Sequence, residues 1–113
     1  MGQKLGTVII SPTVLSTIAR LTTLAVPGVV RTSPTGVYRL LGTCIEDGVK
    51  VRVVDESVIL DIYIIAAADV NLLQLSREIQ HKVTRAIHDI VGMAVQEVNV
   101  HIMDVVDVEE PRA

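Results

Sequence analysis

The stretch GVKVRVVDESVILDIYIIAA, residues 48–67, decides the fold. Val49, Val51 and Val53 alternate with Lys50 and Arg52, the period-two pattern of a strand with one face buried. Asp55 and Glu56 break the run as a turn. A second alternation follows, with Val58, Leu60, Ile62 and Ile64 on one face. Its other face carries Ile59, Asp61, Tyr63 and Ile65, too apolar for a simple solvated surface. The reading is therefore a β-hairpin whose second strand is apolar on both sides.

Helical patterns flank this hairpin. Downstream, Asn71 is placed to cap a helix, with Gln74 three residues on. Leu72, Leu75, Ile79, Val83, Ile87 and Ile90 recur at the spacing of one buried stripe, and Gly92 is the stop. Arg77, Glu78, His81, Lys82, Arg85, His88 and Asp89 occupy the opposite side, with Glu78 and Lys82 paired at i,i+4. A last strand runs from Val95 to Val106, with Val98, Val100 and Ile102 on one side and Glu97, Asn99, His101 and Met103 on the other. Upstream, Thr7–Ile10 reads as a first strand. Ser11-Pro12 then starts a helix bearing Val14, Leu15, Ile18, Ala19, Leu21 and Ala25, with a polar stripe through Ser16, Arg20 and Thr23. Pro27-Gly28 ends it. Residues 29–47 give little signal beyond a turn at Ser33–Gly36 and a candidate short strand, Val37–Leu41.

The order is strand, helix, strands, helix, strand. Each helix has one apolar stripe, so both are expected on the same face of one mostly antiparallel sheet. The fold class is α+β, a two-layer sandwich, and its 113 residues suit a single domain spanning 1–113. Strand order does not follow from these patterns.

Composition narrows the function classes. Tyr38 and Tyr63 are the only aromatic residues, so a stacking platform for bases or flavins is not expected. Ten basic against 13 acidic residues give a net charge of −3, which argues against a broad nucleic-acid footprint. The start of the chain lacks the apolar stretch of a signal peptide. The longest apolar run, Ile62–Ala68, falls far short of the roughly 20 residues a membrane span needs. A single cysteine, Cys44, precludes an intrachain disulfide and fits a reducing compartment. The expectation is a cytoplasmic protein without direct membrane insertion.

The search for chemistry yields no catalytic or metal site. His81 and His88 stand about 10 Å apart along their helix at roughly 1.5 Å per residue, too far to share a metal comfortably. His101 is placed on another surface, and no Cys-x-x-Cys or His-Glu-x-x-His spacing occurs. Cys44 is followed closely by Glu46 and Asp47, which raise rather than lower a thiol pKa. Asp61 interrupts an apolar strand face, and a cross-strand partner such as Arg52, Lys50 or His101 is its ordinary explanation. No phosphate-cradling glycine loop is present. No cofactor is expected, and the protein reads as non-enzymatic.

Two surfaces remain as candidates for binding. Ile59, Tyr63, Ile65 and Met103 form an apolar outer sheet face, an interface unless residues 29–48 cover it. Arg77, His81, Lys82, Arg85 and His88 form a basic polar side on the second helix. That side is open to an acidic partner or, as the alternative function, to nucleic acid in a regulatory role.

Several segments then resemble a known family. Glu78-Ile79-Gln80-His81-Lys82-Val83, Val91-Gly92-Met93-Ala94-Val95 and Val98-Asn99-Val100-His101-Ile102 are similar to the alkaline-shock-protein family of bacterial envelope stress response proteins. The start of the chain, Ile18-Ala19, Val26-Pro27-Gly28-Val29 and the Val49–Ile64 hairpin agree with it. The resemblance implies a non-enzymatic role in cell-envelope homeostasis. It also implies a protein partner, in some relatives a small membrane-anchored protein, with homo-oligomers among the assemblies to expect. It supplies no catalytic residues to carry over. A chain of this family would sit in the cytoplasm or at the inner face of the membrane through its partner.

Overall fold

The computed structural model describes residues 3–33 and 44–108. Helix α1 spans Pro12–Leu24 and strand β1 Val29–Thr32. Strands β2, β3 and β4 span Cys44–Glu46, Val49–Val54 and Ser57–Ala67. Helix α2 spans Leu72–Ala86 and continues as a π-helical turn over Ile87–Val91, and β5 spans Ala94–Val106.

The hairpin read from residues 48–67 is the centre of the sheet. β4 pairs antiparallel with β3 from Ser57 to Ile62, and with β1 from Ile64 to Ala66. The two shorter strands lie end to end along one edge of the longer one. β5 pairs in parallel along the other edge, and β2 extends the sheet beyond β3. Three of the four pairings are antiparallel, as expected. The parallel one was not legible in the sequence.

The handover from β3 to β1 falls on Tyr63. Its N–H donates to the Gly48 carbonyl at 2.8 Å, and its carbonyl accepts from Ser33 N at 2.7 Å. Gly48 has φ +81, and a Cβ there would stand 2.6 Å from the Ser33 oxygen. It also completes the Asp47-Gly48 turn, both residues at positive φ, which joins β2 to β3.

Both helices cover one face of the sheet. Leu15 and Ala19 from α1 and Leu75, Ile79, Val83 and Ile87 from α2 meet Val58, Leu60, Ile62, Ile64 and Ala66 of β4 in one core. The Asn71 side chain accepts from Gln74 N, so the expected cap forms, though through the backbone N–H of Gln74. Gly92, at φ +79, ends the π turn.

Four expectations need correction. Thr7–Ile10 is not in a strand, for it makes no ladder with any other described segment. On α1, Ser16 and Thr23 face inward while Val14 and Leu21 are exposed. Both hydroxyls donate to carbonyls one turn back, Ser16 to Thr13 and Thr23 to Ala19, so burial leaves no hydroxyl unsatisfied. On α2, Ile90 is 68% exposed, because a π turn advances each residue through a smaller angle and leaves Ile90 short of the buried stripe. Residues 29–47, read as weak, hold β1 and β2. The candidate strand Val37–Leu41 lies outside the described residues.

Two glycines with nearly the same φ separate backbone strain from crowding. A left-handed conformation costs a non-glycine residue about 1–2 kcal/mol, which Gly92→Ala should show, since nothing lies within 4 Å of its added Cβ. Gly48→Ala meets the same strain plus a backbone clash, and should lose at least about 1 kcal/mol more. Urea unfolding of both variants checks this, and equal losses would contradict the handover geometry.

Candidate functional surfaces: the outer sheet face and the groove beside α2

The outer sheet face carries a polar ladder rather than the apolar patch expected. Ile59 and Ile65 are only 7% and 6% exposed. In register, Ile59 lies between Arg52 and Glu97, and Ile65 between Arg31 and Asp104. Long charged side chains in such flanking positions cover an apolar neighbour with their stems. Tyr63 is half-buried. Met103, at a register shift of β5 against β4, is 56% exposed. Of the four residues assigned to this candidate interface, two are therefore covered.

The centre of that face is occupied by Asp61, His101 and Tyr63. His101 Nε2 lies 2.8 Å from Asp61 Oδ1, so one of the three partners foreseen for Asp61 is the one it takes. The Tyr63 ring stacks on His101 with centroids 4.4 Å apart and planes inclined by 11°. Burial, and then the neighbouring Asp61 charge, raise the Tyr63 phenol above its usual 10.0. Asp61 thus holds the imidazole flat against the phenol ring, with all three side chains partly exposed.

A concave feature lies on the opposite side of β5. A groove of about 820 Å³ runs between α2 and the start of β5. Arg77, Gln80, His81, Lys82, Thr84, Arg85 and His88 form one wall, and Ala94 and Val95 the other. All five residues of the basic face read from the sequence meet here. Their spacing puts them on one side of α2, and the inward stripe of Leu75, Ile79 and Val83 fixes which side faces β5. Among the described residues, no carboxylate lines the groove.

Acidic side chains stand beside it nonetheless. Lys82 Nζ is 3.0 Å from Glu78 Oε1, and Arg85 Nε is 3.7 Å from Asp89 Oδ2. His88 Nδ1 also approaches Asp89, at 3.2 Å. Exposed pairs of this kind are worth about 0.2–1 kcal/mol, so they hold their cations only lightly against a better anion.

Gln80 marks a feature that the sequence did not announce. Its Nε2 donates to the Val98 carbonyl at 2.9 Å. β5 pairs with β4 on one side and with no strand on the other among the described residues. The Val98 peptide therefore turns away from β4, and strand alternation turns those of Val100 and Ile102 the same way. A 13-residue strand at a sheet edge exposes a row of unpaired backbone groups. The parallel pairing that creates this edge is a tertiary choice, which strand alternation does not reveal.

Residues 3–10 add a second unsatisfied surface. Val8 and Ile9 are 87% and 86% exposed, although both are strong strand formers. Among the described residues no group of three His, Cys, Asp or Glu side chains is placed to hold a metal ion. Nor is any described helix long and apolar enough to cross a membrane.

The profile of the alkaline-shock-protein family, described by a cell envelope-related function, matches residues 1–107. The chain belongs to this family. The resemblance read from the segments around α2 and β5 is thereby shown. The uncharacterized protein YqhY of Bacillus subtilis (strain 168) is 27% identical over 105 residues, covering 89% of this chain and 78% of that one. Among solved structures, a variant of MamM CTD is similar with a TM-score of 0.51 and 15% identity, over 82% of this chain and 94% of that one. A copper form of MamM CTD gives a TM-score of 0.52 and 14% identity, over 83% and 98%. At such identities the likeness concerns the fold alone.

The raised Tyr63 phenol gives this alkaline-shock-family protein a testable alkaline signature. Because the folded state holds the phenolic proton more tightly, the associated stability is complete below pH 10.0 and is lost as pH rises through the folded-state pKa. Tyrosinate absorbance in a Tyr38→Phe background should titrate above the ordinary range. Asp61→Asn should move it part of the way back, since burial remains. No movement on that substitution would contradict the Asp61 contribution.

Proposed function

We propose that this alkaline-shock-family protein is a non-enzymatic interaction module of the cell envelope, whose α2–β5 groove binds an anionic segment of a protein. The observation that carries the reading is the groove itself: three permanent cations and two histidines converge beside an open strand edge, with no carboxylate among the described lining residues. An extended peptide entering there would find backbone hydrogen-bonding groups from β5 and charge partners from α2. The family's cell envelope-related function supports a partner at the membrane, so the protein acts on the cytoplasmic side, brought to the inner face by that partner.

Nucleic acid is the runner-up ligand for the same cations. It is disfavoured by the net charge of −3 and by Glu78 and Asp89, which would face a phosphate backbone beside the groove.

Affinity capture with mild crosslinking from detergent-solubilised cells tests the reading. The wild-type chain should enrich an envelope protein, and the Arg77→Glu, Lys82→Glu, Arg85→Glu variant should lose about tenfold or more of that enrichment. Equal enrichment by the two chains would remove the groove from the interaction. Salt-sensitive capture of nucleic acid alone would move the assignment to the runner-up.

A further inference from the structure

We infer that the segment held in the α2–β5 groove is an antiparallel strand added to the β5 edge, in which two apolar residues are followed by two carboxylates at alternate positions. The inference rests on the groove reading above and gives its ligand a backbone form and a sequence order.

The backbone form follows from an edge bond that a side chain already makes. Gln80 Nε2 donates to the outward Val98 carbonyl at 2.9 Å, the place an added strand's N–H would take. Val100 and Ile102 turn their peptides the same way, and Glu97–Ile102 is regular between the two register shifts of β5. An antiparallel strand opposite these three residues exchanges both backbone bonds with each of them. Gln80 must then release Val98. The same release frees Arg77, whose Nη1 donates to Gln80 Oε1 at 3.0 Å. Strand entry thereby releases a cation into the groove.

The sequence order follows from what lies along the edge. Opposite residues of an antiparallel pair share a face, so residues facing Val98, Val100 and Ile102 point to the helix side. Val100 and Ile102 are half-buried there, and apolar residues opposite them would complete their burial. Past Val98 the surroundings become cationic. α2 joins two parallel strands, so it runs opposite to β5. Counted from Gln80 at roughly 1.5 Å per residue, His88 stands about 12 Å toward the start of β5. That is the level of Ala94, and the groove lining agrees. From Val98 toward Ala94 the added strand therefore faces Arg77, His81, Arg85 and His88, which suit carboxylates. The intervening residues point to the outer sheet face beside Glu97, where a carboxylate would be repelled. Acidic residues are thus favoured at alternate positions and not in a run.

The probe is the peptide Val-Thr-Val-Thr-Glu-Thr-Glu, carrying a neutral fluorophore at its N-terminus and titrated with the full chain by fluorescence anisotropy at low salt. It should bind at least about tenfold more tightly than the reversed peptide Glu-Thr-Glu-Thr-Val-Thr-Val. Methylating the amide nitrogen of its second Val, the residue opposite Val100, should cost about tenfold or more. Methylating the next Thr, whose N–H points away from β5, should change affinity by no more than about twofold. On the protein, Arg77→Glu with Arg85→Glu should weaken the ordered peptide about tenfold. Val100→Pro should weaken it as much with the fold kept by circular dichroism, because that N–H faces the ligand and not β4. The methylated peptides leave the protein unaltered, so they decide the matter should Val100→Pro fail to fold.

Equal affinity of the ordered and reversed peptides overturns the inference, and so does binding indifferent to the methyl on the second Val. If both peptides still lose affinity with Arg77→Glu and Arg85→Glu, the groove takes an anionic segment and only its strand form is wrong. No binding of either peptide at low salt overturns the inference as well. A two-chain mass by light scattering on those samples would then give the edge to a second copy, while continued groove-dependent capture of an envelope protein would leave the function reading standing.

Discussion

The architecture depends on β4 being longer than either strand that pairs along its first edge. Eleven residues of β4 face six of β3 and four of β1, so two strands must meet end to end against one. Tyr63 makes that possible by giving its N–H to one and its carbonyl to the other. The meeting leaves no room for a side chain at Gly48, and the same glycine turns the chain back into β2. With one edge filled, β5 can only take the other, and α2 must cross the helix-covered face to bring it there. The double-sided apolar character of β4 follows from its central place, because one face carries the helices and the other is screened by charged neighbours.

That screening explains why the outer face is less adhesive than its composition suggests. Alternation assigned Ile59 and Ile65 to this face correctly, but alternation says nothing about the residues beside them on adjacent strands. Arg31, Arg52, Glu97 and Asp104 become their neighbours only through pairing. Asp61, alone in an apolar run, is satisfied by His101 across the β4–β5 pairing. The unsatisfied surface therefore shifts from the face of the sheet to its edge, where hydrogen-bonding groups count for more than apolar area.

Elements with one strong period were legible. The β3–β4 hairpin, α2 and β5 stand close to their expected bounds, and the shared helix-covered face follows from one apolar stripe per helix. What escaped was set by local satisfaction or by tertiary contact. Ser16 and Thr23 read as polar, yet their hydroxyls bond the helix's own carbonyls and pack inward. The strands β1 and β2 are four and three residues long, too short to show a period, though Asp47-Gly48 was a usable hairpin signal. Thr7–Ile10 has the composition of a strand, but composition supplies no partner. The π turn left no mark in the pattern, and Ile90 was misplaced as a result. Among the site residues, the basic five were found together because a helix face is local. The groove they line needs β5, and so it did not appear.

A fold shared at 15% identity with MamM CTD can dictate where a groove forms without dictating what it holds. In this chain the inward stripe of α2 and the parallel placement of β5 leave a concave strip between helix and edge. The side chains facing it are free of the core. Arg77, His81, Lys82, Arg85 and His88 contribute nothing to the buried stripe, and the lightly held Glu78 and Asp89 pairs account for only part of their charge. An unpaired edge beside that charge is a standing liability for aggregation. No proline or lysine interrupts β5, and its two register shifts leave six regular residues between them. An edge that stays regular over these residues and is flanked by cations at one end has the form that an added strand would need.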